Sequence, residues 1–309
     1  MATAQTSPWL AGVWVLLSMA LIAGVAPLLE GAIRKLRAII HSRQGPPITQ
    51  PYLDLAKLLI KEDLRVSPSV LLRLGPLVFL GATLLAGSLV PLWPTDPGGY
   101  GGDVLVFTYL LLLSTVTVVV IGMASRSPYS VIGASRETML MVGAEPILVL
   151  SLLVVAVDAQ SLRFADMAGF QLAKAPGISA VVAAIAYLLA LQTLVAKVPF
   201  DIAEAETELM GGPFTELSGP SLALCKLALF AKQLIFSLLF VQVFLPWVSA
   251  ESPWLGVPVA LVCAFAINLV GVGILDAVNP RLRVDQAVQY LAVIATIAAF
   301  AMAYAALGP

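Results

Sequence analysis

Eight long apolar runs, separated by short stretches rich in polar residues, Pro and Gly, dominate the pattern of this chain. A helix needs roughly 20 consecutive apolar residues to cross the hydrocarbon core of a bilayer. The pattern therefore predicts an all-α, polytopic integral membrane protein of about eight transmembrane helices, with residues 1–309 forming a single membrane domain. The predicted spans are about 9–30, 70–92, 104–123, 138–157, 178–196, 221–247, 254–275 and 287–307.

Lys and Arg residues are distributed unequally between the connections. Thirteen lie in or beside the connections that follow the first, third, fifth and seventh runs, whereas the alternate connections hold only Arg163 and Lys174. Cytoplasmic connections of membrane proteins carry an excess of positive charge. The distribution predicts a multi-pass protein of the cell inner (cytoplasmic) membrane, with both termini on the outer side and an uncleaved first span.

The first cytoplasmic connection, residues 31–69, predicts an amphipathic loop. Within Gln50–Glu62, charged and apolar positions separate onto two sides of a helix. These positions are Asp54, Lys57 and Lys61 on one side and Tyr52, Leu55 and Leu59 on the other. Two interpretations stay open: the helix lies in the lipid headgroup layer, or it helps to shape a cavity or a docking face for a soluble partner.

Composition excludes several classes of function. The chain is 60% hydrophobic and 11% charged, with a net charge of −1 and no basic patch with interleaved aromatic residues, so we expect no nucleic-acid partner. It has one histidine, His41, and two cysteines, Cys225 and Cys263, without C-x-x-C spacing. Metal and iron–sulfur sites need more such ligands. We therefore expect no metal and no cofactor bound by this chain.

The connection after the fifth apolar run, residues 197–220, is unusually acidic for so apolar a chain. Its carboxylates are Asp201, Glu204, Glu206, Glu208 and Glu216. A capping-box-like start at Asp201 and a stop at Gly211–Pro213 predict a short helix that places Asp201, Glu204 and Glu208 on one face, with Glu206 opposite. Neighbouring like charges raise the pKa of at least one carboxyl in a partly buried site. The alternative interpretation is a solvated acidic loop.

A second group of ionisable residues lies within or next to the apolar runs. Glu145 precedes Pro146, whose missing N–H frees the carbonyl of Val142. Intramembrane acids are commonly members of an ion relay, although Glu145 can equally be a structural partner for a cation. The possible counter-ions are Lys226, Lys232 and Arg136, and Glu137 is placed to continue a path toward the cytoplasm.

Three segments carry a family resemblance. The stretch Lys197 to Gly219, KVPFDIAEAETELMGGPFTELSG, resembles the signature of the membrane subunit called subunit 1 in respiratory complex I (NADH dehydrogenase), which is shared with membrane-bound [NiFe] hydrogenases such as formate hydrogenlyase. The stretches Gly133 to Pro146 and Arg43 to Leu59 match the same family in the same order. The resemblance therefore spans nearly all eight predicted helices.

Departures from the complex I pattern favour the hydrogenase branch. Complex I members usually carry Glu-Arg-Lys at the end of the first helix, where this chain has Leu29-Glu30-Gly31-Ala32. They also carry an Arg before the Pro-Phe-Asp, where this chain has Lys197, and a Tyr where it has Leu217. The segment around Ser135–Leu140 points the same way, toward the formate hydrogenlyase subunit 4 and hydrogenase-4 type.

The resemblance implies a non-redox membrane subunit of an oxidoreductase complex, with no catalytic centre of its own. It would anchor a peripheral arm and link electron transfer there to proton or sodium translocation. The implied partners are hydrogenase large and small subunits, a ferredoxin-like iron–sulfur subunit and antiporter-like membrane subunits, and the partners would carry the iron–sulfur clusters and the NiFe centre.

Matched by position, the resemblance implies an ion path through the five acids of residues 197–220 together with Glu137 and Glu145. It also implies a junction with the peripheral arm at Arg43, Asp54 and Lys57. Two other functions stay open. One is a quinone-site subunit of a complex I-like oxidoreductase, and the other is a stand-alone secondary ion transporter, against which the lack of an evident inverted repeat argues.

Overall fold

The computed structural model describes residues 8–64, 68–92, 102–248 and 255–307, whose regular secondary structure is helical. The α-helices are α1 (Pro8–Ile40), α2 (Gln50–Ile60), α3 (Val70–Ser88), α4 (Val104–Ala124), α5 (Pro128–Ala159), α6 (Phe164–Ala173), α7 (Ile178–Leu194), α8 (Glu206–Leu209), α9 (Gly219–Phe244), α10 (Gly256–Ile267), α11 (Leu275–Val278) and α12 (Val284–Leu307). A π-helical segment, Asn268–Ile274, joins α10 to α11.

The prediction of an all-α polytopic membrane protein is confirmed. Seven helical segments of the described ranges are long and apolar enough to cross a membrane, and α10, the π segment and α11 together form one of them. The remaining predicted span, the fifth (178–196), corresponds to α7, which has 17 residues and is about 25 Å long at 1.5 Å per residue. It is therefore slightly shorter than the hydrocarbon core.

Two helices extend well beyond the predicted spans because their charged residues face protein. Helix α1 continues to Ile40, and its Glu30, Arg34 and Arg37 line an internal cavity. Helix α5 begins at Pro128 instead of about residue 138, so Arg136 and Glu137 are helical. Hydropathy ends a predicted span at the first charged residues, whereas a helix continues wherever those residues find partners.

Helix α9 forms the centre of the bundle. It packs against α1, α2, α3, α7 and α10, and its residues from Phe230 to Phe244 are all buried. Tyr187 of α7 donates a hydrogen bond to the carbonyl of Phe236 (2.8 Å) and packs on the rings of Phe240 and Phe244. A helix that is apolar all round is typical of such a buried position. Lys232, which lies within this buried stretch, is therefore enclosed by protein, whereas Lys226 nearer the start of α9 is exposed.

The connection after α1 turns back along that helix. Gly31 allows this approach, because a Cβ there would lie 1.8 Å from the carbonyl oxygen of Ile48. Helix α2 then packs on α1 and α9, and it covers most of the segment Gln50–Glu62 for which a helix was predicted. Its predicted faces are wrong: Asp54 points inward to Arg34, while Tyr52 and Leu59 are exposed.

The prediction of a helix that begins at Asp201 is wrong. Residues 201–204 form turns, and only α8, Glu206–Leu209, is helical. Ala205, Met210 and Gly211 have φ angles of 26°, 55° and 105°, which interrupt a right-handed helix. Gly212 lets the chain fold back on itself, since a Cβ there would lie 2.0 Å from the carbonyl oxygen of Ala203. The predicted face of three carboxylates is therefore not formed.

Candidate ion-coupling site

A cavity of about 670 Å³ lies between α1, α9, α11 and the segment 195–214. We call it the charged cavity. Four acidic and four basic side chains line it: Glu30, Asp201, Glu204 and Asp276, and Arg34, Arg37, Lys197 and Lys226. Acids and bases are thus equal in number around a space large enough for many water molecules.

Three of the four acids form ion pairs. Glu30 accepts hydrogen bonds from Arg34 Nε (3.1 Å) and Lys197 Nζ (2.9 Å), and Arg34 also donates to Asp54 (3.0 Å). Asp201 accepts from Arg281 Nη2 at 3.0 Å, and Asp276 pairs with Arg37. Buried charges require such compensation. These pairs hold α1, α2, α11 and the start of the acidic segment together.

Glu204 differs from the other three acids. It is partly buried, and among the described residues none makes a hydrogen bond or an ion pair with its carboxylate. Burial, followed by the negative charge of Asp201, raises its pKa to about 7, although Lys197 and Lys226 act in the opposite direction. This carboxyl can therefore bind and release a proton near neutral pH.

Two small cavities continue from Glu204 into the membrane domain. The first, about 20 Å³, is lined by Glu204, Glu137 and Lys232. The second, about 40 Å³, is lined by Glu137, Lys232 and Glu145. We call these two cavities the passage. Each cavity shares at least one carboxyl residue with the next, so Glu204, Glu137 and Glu145 form a series from the charged cavity to α5.

Lys232 and Thr115 lie beside this series. The Lys232 side chain is only 9% exposed, and its Nζ donates to Thr115 Oγ1 at 3.3 Å and lies 5.8 Å from the centre of the Phe236 ring. The same hydroxyl is within hydrogen-bonding reach of the Glu145 carboxylate. Thr115 thus links a buried cation to a membrane carboxyl. Sequence reasoning missed it, because a threonine in an apolar helix has no distinguishing signal.

The structure brings together only some of the residues chosen from the sequence. Asp201, Glu204 and Lys226 line the charged cavity, and Glu137, Glu145 and Lys232 line the passage. Exposed Glu208 instead pairs with Arg136 at 2.7 Å, which lowers the pKa of Glu208. Glu216 lines none of the three cavities. Glu206 lies in α8, and its side chain is outside the described part of the structure.

The solvated-loop interpretation therefore suits Glu208 but does not suit Asp201 or Glu204. Of the residues expected at the peripheral-arm junction, Arg43 and Lys57 are exposed, whereas Asp54 is bound to Arg34. Glu30 and Asp276 lie at the ends of predicted spans, and both are buried in ion pairs. The four-residue spacing of Glu30 and Arg34 was an available signal for one of these pairs.

Residues 13–307 match the family model described as NADH dehydrogenase. The chain belongs to this family. The resemblance stated from the sequence motifs is thus confirmed, and the NADH dehydrogenase family match includes the charged cavity, the passage and all the spans.

Within the family, curated relatives of the hydrogenase type are similar over most of the chain. Hydrogenase-4 component C of Escherichia coli (strain K12) is 38% identical over 78% of this chain and 77% of the relative. Formate hydrogenlyase subunit 4 of the same organism is 35% identical over 87% of this chain and 91% of the relative. NADH-quinone oxidoreductase subunit 8 of Thermus thermophilus is 31% identical over 83% of this chain and 75% of the relative.

A solved structure has the same fold. A chain in the structure of the membrane-bound sulfane sulfur reductase (MBS), an archaeal respiratory membrane complex, superposes with a TM-score of 0.87 at 29% identity. The alignment covers 96% of this chain and 99% of that chain. The likeness thus includes the segments that build the charged cavity as well as the transmembrane helices.

Proposed function

We propose that this chain is the membrane anchor and ion-coupling subunit of a membrane-bound [NiFe]-hydrogenase-type, formate hydrogenlyase-like oxidoreductase complex. The observation that carries the proposal is the series Glu204, Glu137 and Glu145, which leads from the charged cavity into the membrane domain. The hydrogenase branch is supported by similarity to hydrogenase-4 component C and formate hydrogenlyase subunit 4.

In this proposal the charged cavity faces the cytoplasm, both termini lie on the outer side, and the peripheral arm docks over the cavity. The arm would contain the hydrogenase large and small subunits and a ferredoxin-like iron–sulfur subunit, which carry the NiFe centre and the iron–sulfur clusters. Arg43 and Lys57, both exposed, are available to that arm. Antiporter-like subunits would receive the ion within the membrane.

Coupling would act through the protonation of Glu204. A change of charge in the docked arm alters the electrostatic potential in the cavity and shifts the pKa of this carboxyl across neutral pH. Glu204 then takes up a proton or transfers it through a water molecule to Glu137, and Glu137 passes it to Glu145. Asp201 is the negative charge that most strongly favours the protonated form of Glu204.

The test uses the purified complex that contains this chain, reconstituted in liposomes. We expect Glu204→Gln and Glu145→Gln to abolish ion uptake while the complex still assembles. Glu216→Gln is the matched control, because this residue belongs to the same acidic segment but lines none of the three cavities. Unchanged uptake in both cavity variants would contradict the proposal.

A quinone-site subunit is the second candidate. It is favoured by the volume of the charged cavity, about 670 Å³, which falls in the range of small-molecule sites, and by the similarity to the NADH-quinone oxidoreductase subunit of Thermus thermophilus. Quinone co-purified in the charged cavity, or turnover that requires added quinone, would decide for this function. Turnover and ion uptake in quinone-free complex would decide for the hydrogenase type.

A further inference from the structure

Lys232 lines the two smaller of the three cavities on the proposed ion route. It is the basic residue that lines both cavities of the passage, together with Glu137 in both of them and with Glu145 in the larger one. An ion that moves from Glu137 to Glu145 through the larger cavity therefore moves along a wall that carries this ammonium group. The position of Lys232 therefore bears on which cation the passage accepts.

The ammonium group cannot withdraw from this position. Lys232 lies thirteen residues inside α9, about 20 Å from the start of the helix. Long basic side chains near a helix end can reach the membrane interface, but this side chain is enclosed by protein. Thr115 accepts its hydrogen bond, and the Phe236 ring packs beside it. The positive charge is therefore a fixed part of the passage wall.

The space in the passage suits water molecules and not a hydrated metal ion. Cavities of about 20 and 40 Å³ hold roughly one and two to three water molecules. One or two waters suffice to carry a proton between carboxyls, whereas Na⁺ must keep several waters or replace them with protein oxygens.

The passage offers few such oxygens. Apart from the carboxylates of Glu137 and Glu145, the larger cavity contributes hydroxyls of Thr108, Thr115 and Thr193, and the other lining side chains apart from Lys232 are apolar. Among the described residues, no group of three or more His, Cys, Asp or Glu side chains is placed to hold a metal ion. A Na⁺ in this described part of the chain would thus have no such group of ligands and would be repelled by the ammonium.

We propose that Lys232 makes this passage selective for protons and excludes Na⁺. The inference rests on the proposed ion-coupling function and specifies its ion. A neutral residue of similar shape at position 232 would leave two carboxylates of the same cavity without a fixed cation, and Na⁺ could then take the place of the ammonium in that cavity.

The test measures which ion reaches Glu145 in the purified complex. A hydrophobic carbodiimide modifies protonated carboxyls, so a Na⁺ bound to a carboxylate slows the modification. Labelling of Glu145 is followed by mass spectrometry. The labelling rate in Na⁺ is compared with the rate in choline at the same ionic strength. In the unmodified complex we expect equal rates with and without Na⁺. In Lys232→Met we expect Na⁺ to slow labelling at least threefold, while Lys232→Arg and the loop control Lys174→Met remain insensitive.

The possible failures are distinct. Labelling that Na⁺ slows in the unmodified complex, or that Na⁺ leaves unchanged in Lys232→Met, would overturn the selectivity inference but not the coupling function. Glu145 that is unreactive in every variant would contradict the coupling function itself, because a relay carboxyl must be reachable and protonated for part of the time. The unmodified complex supplies a decisive result even if Lys232→Met does not assemble.

Discussion

Lys197 Nζ lies 2.9 Å from Glu30 Oε2, so the start of the acidic segment is bound to the first membrane helix at the wall of the charged cavity. Arg34 binds the other oxygen of the same carboxylate, at 3.1 Å. Glu30 thereby pairs with two cations at once. One of them, Lys197, also acts on Glu204 and lowers its pKa. The pair connects the packing of α1 with the protonation of the proposed relay.

Glu30→Gln is expected to destabilise the protein. Removing one partner of a buried pair costs about 3–5 kcal/mol, and the partial exposure of Arg34 and Lys197 reduces this to about 1–3 kcal/mol. Thermal unfolding in detergent measures the loss, with Glu62→Gln at an exposed site as the control. Equal melting temperatures for the two variants would show that Glu30 has no structural role.

Glu204→Gln should remove a pH dependence of stability. Burial raises the folded-state pKa from 4.5 to about 7, so the folded protein holds this proton more tightly than the unfolded chain does. The resulting stabilisation is complete below about pH 4.5 and is lost as the pH rises to about 7; its full size is about 3 kcal/mol. Between pH 4.5 and 8, the melting temperature of the unmodified protein should therefore fall relative to that of Glu204→Gln. Melting temperatures that change with pH in parallel would refute the assignment.

Thr115→Val is expected to slow ion uptake without preventing assembly. The substitution keeps the shape of the side chain but removes the hydroxyl that accepts a hydrogen bond from Lys232 and reaches Glu145. A hydrogen bond to a charged group contributes about 1.5–3 kcal/mol, which corresponds to a decrease of about tenfold or more in rate. Thr115→Ser should restore uptake in liposomes, because it restores the hydroxyl. A Ser variant as slow as the Val variant would count against this role.

Gly31→Ala is expected to displace α2 from α1. Its Cβ would lie 1.8 Å from the carbonyl oxygen of Ile48, and backbone cannot yield as a flexible side chain does. We expect a lower melting temperature and faster proteolysis between α1 and α2. Gly24→Ala is the matched control on the same helix, where a Cβ meets nothing within 4 Å and where Ala favours the helix by about 1 kcal/mol.

Glu208→Gln should leave ion uptake unchanged. Its carboxylate is exposed and bound to Arg136 at 2.7 Å, so the variant loses only a surface pair, which has a small effect on stability. The pKa of Glu208 is lowered by the hydrogen bond from Arg136. The small contribution of the pair is thus present above pH 4.5 and lost as the pH falls below it. Loss of ion uptake in Glu208→Gln would show instead that Glu208 takes part in the relay.

Apolar length was sufficient to predict the membrane fold, because burial in lipid demands long apolar helices. It did not predict the ends of α1 and α5, since Arg34 and Glu137 face protein partners that a single sequence does not reveal. The turns at Ala205 and Gly212, where φ is positive, separate Asp201 and Glu204 in the cavity from exposed Glu208. A residue with a positive φ that is not glycine leaves no signal in the sequence, so the split of these acids could not be predicted.

The net charge of the charged cavity's lining is sensitive to the gain or loss of one proton, because its acidic and basic side chains are equal in number. With its other seven ionisable side chains in their charged forms, the lining has a formal charge of zero when Glu204 is ionised and +1 when Glu204 is protonated. Gain or loss of one proton therefore switches the lining between neutral and cationic. In a strongly charged cavity the same proton would be a small fraction of the total. Because the lining is close to neutral, one proton changes it from uncharged to positively charged, and a docked partner would meet a different electrostatic potential.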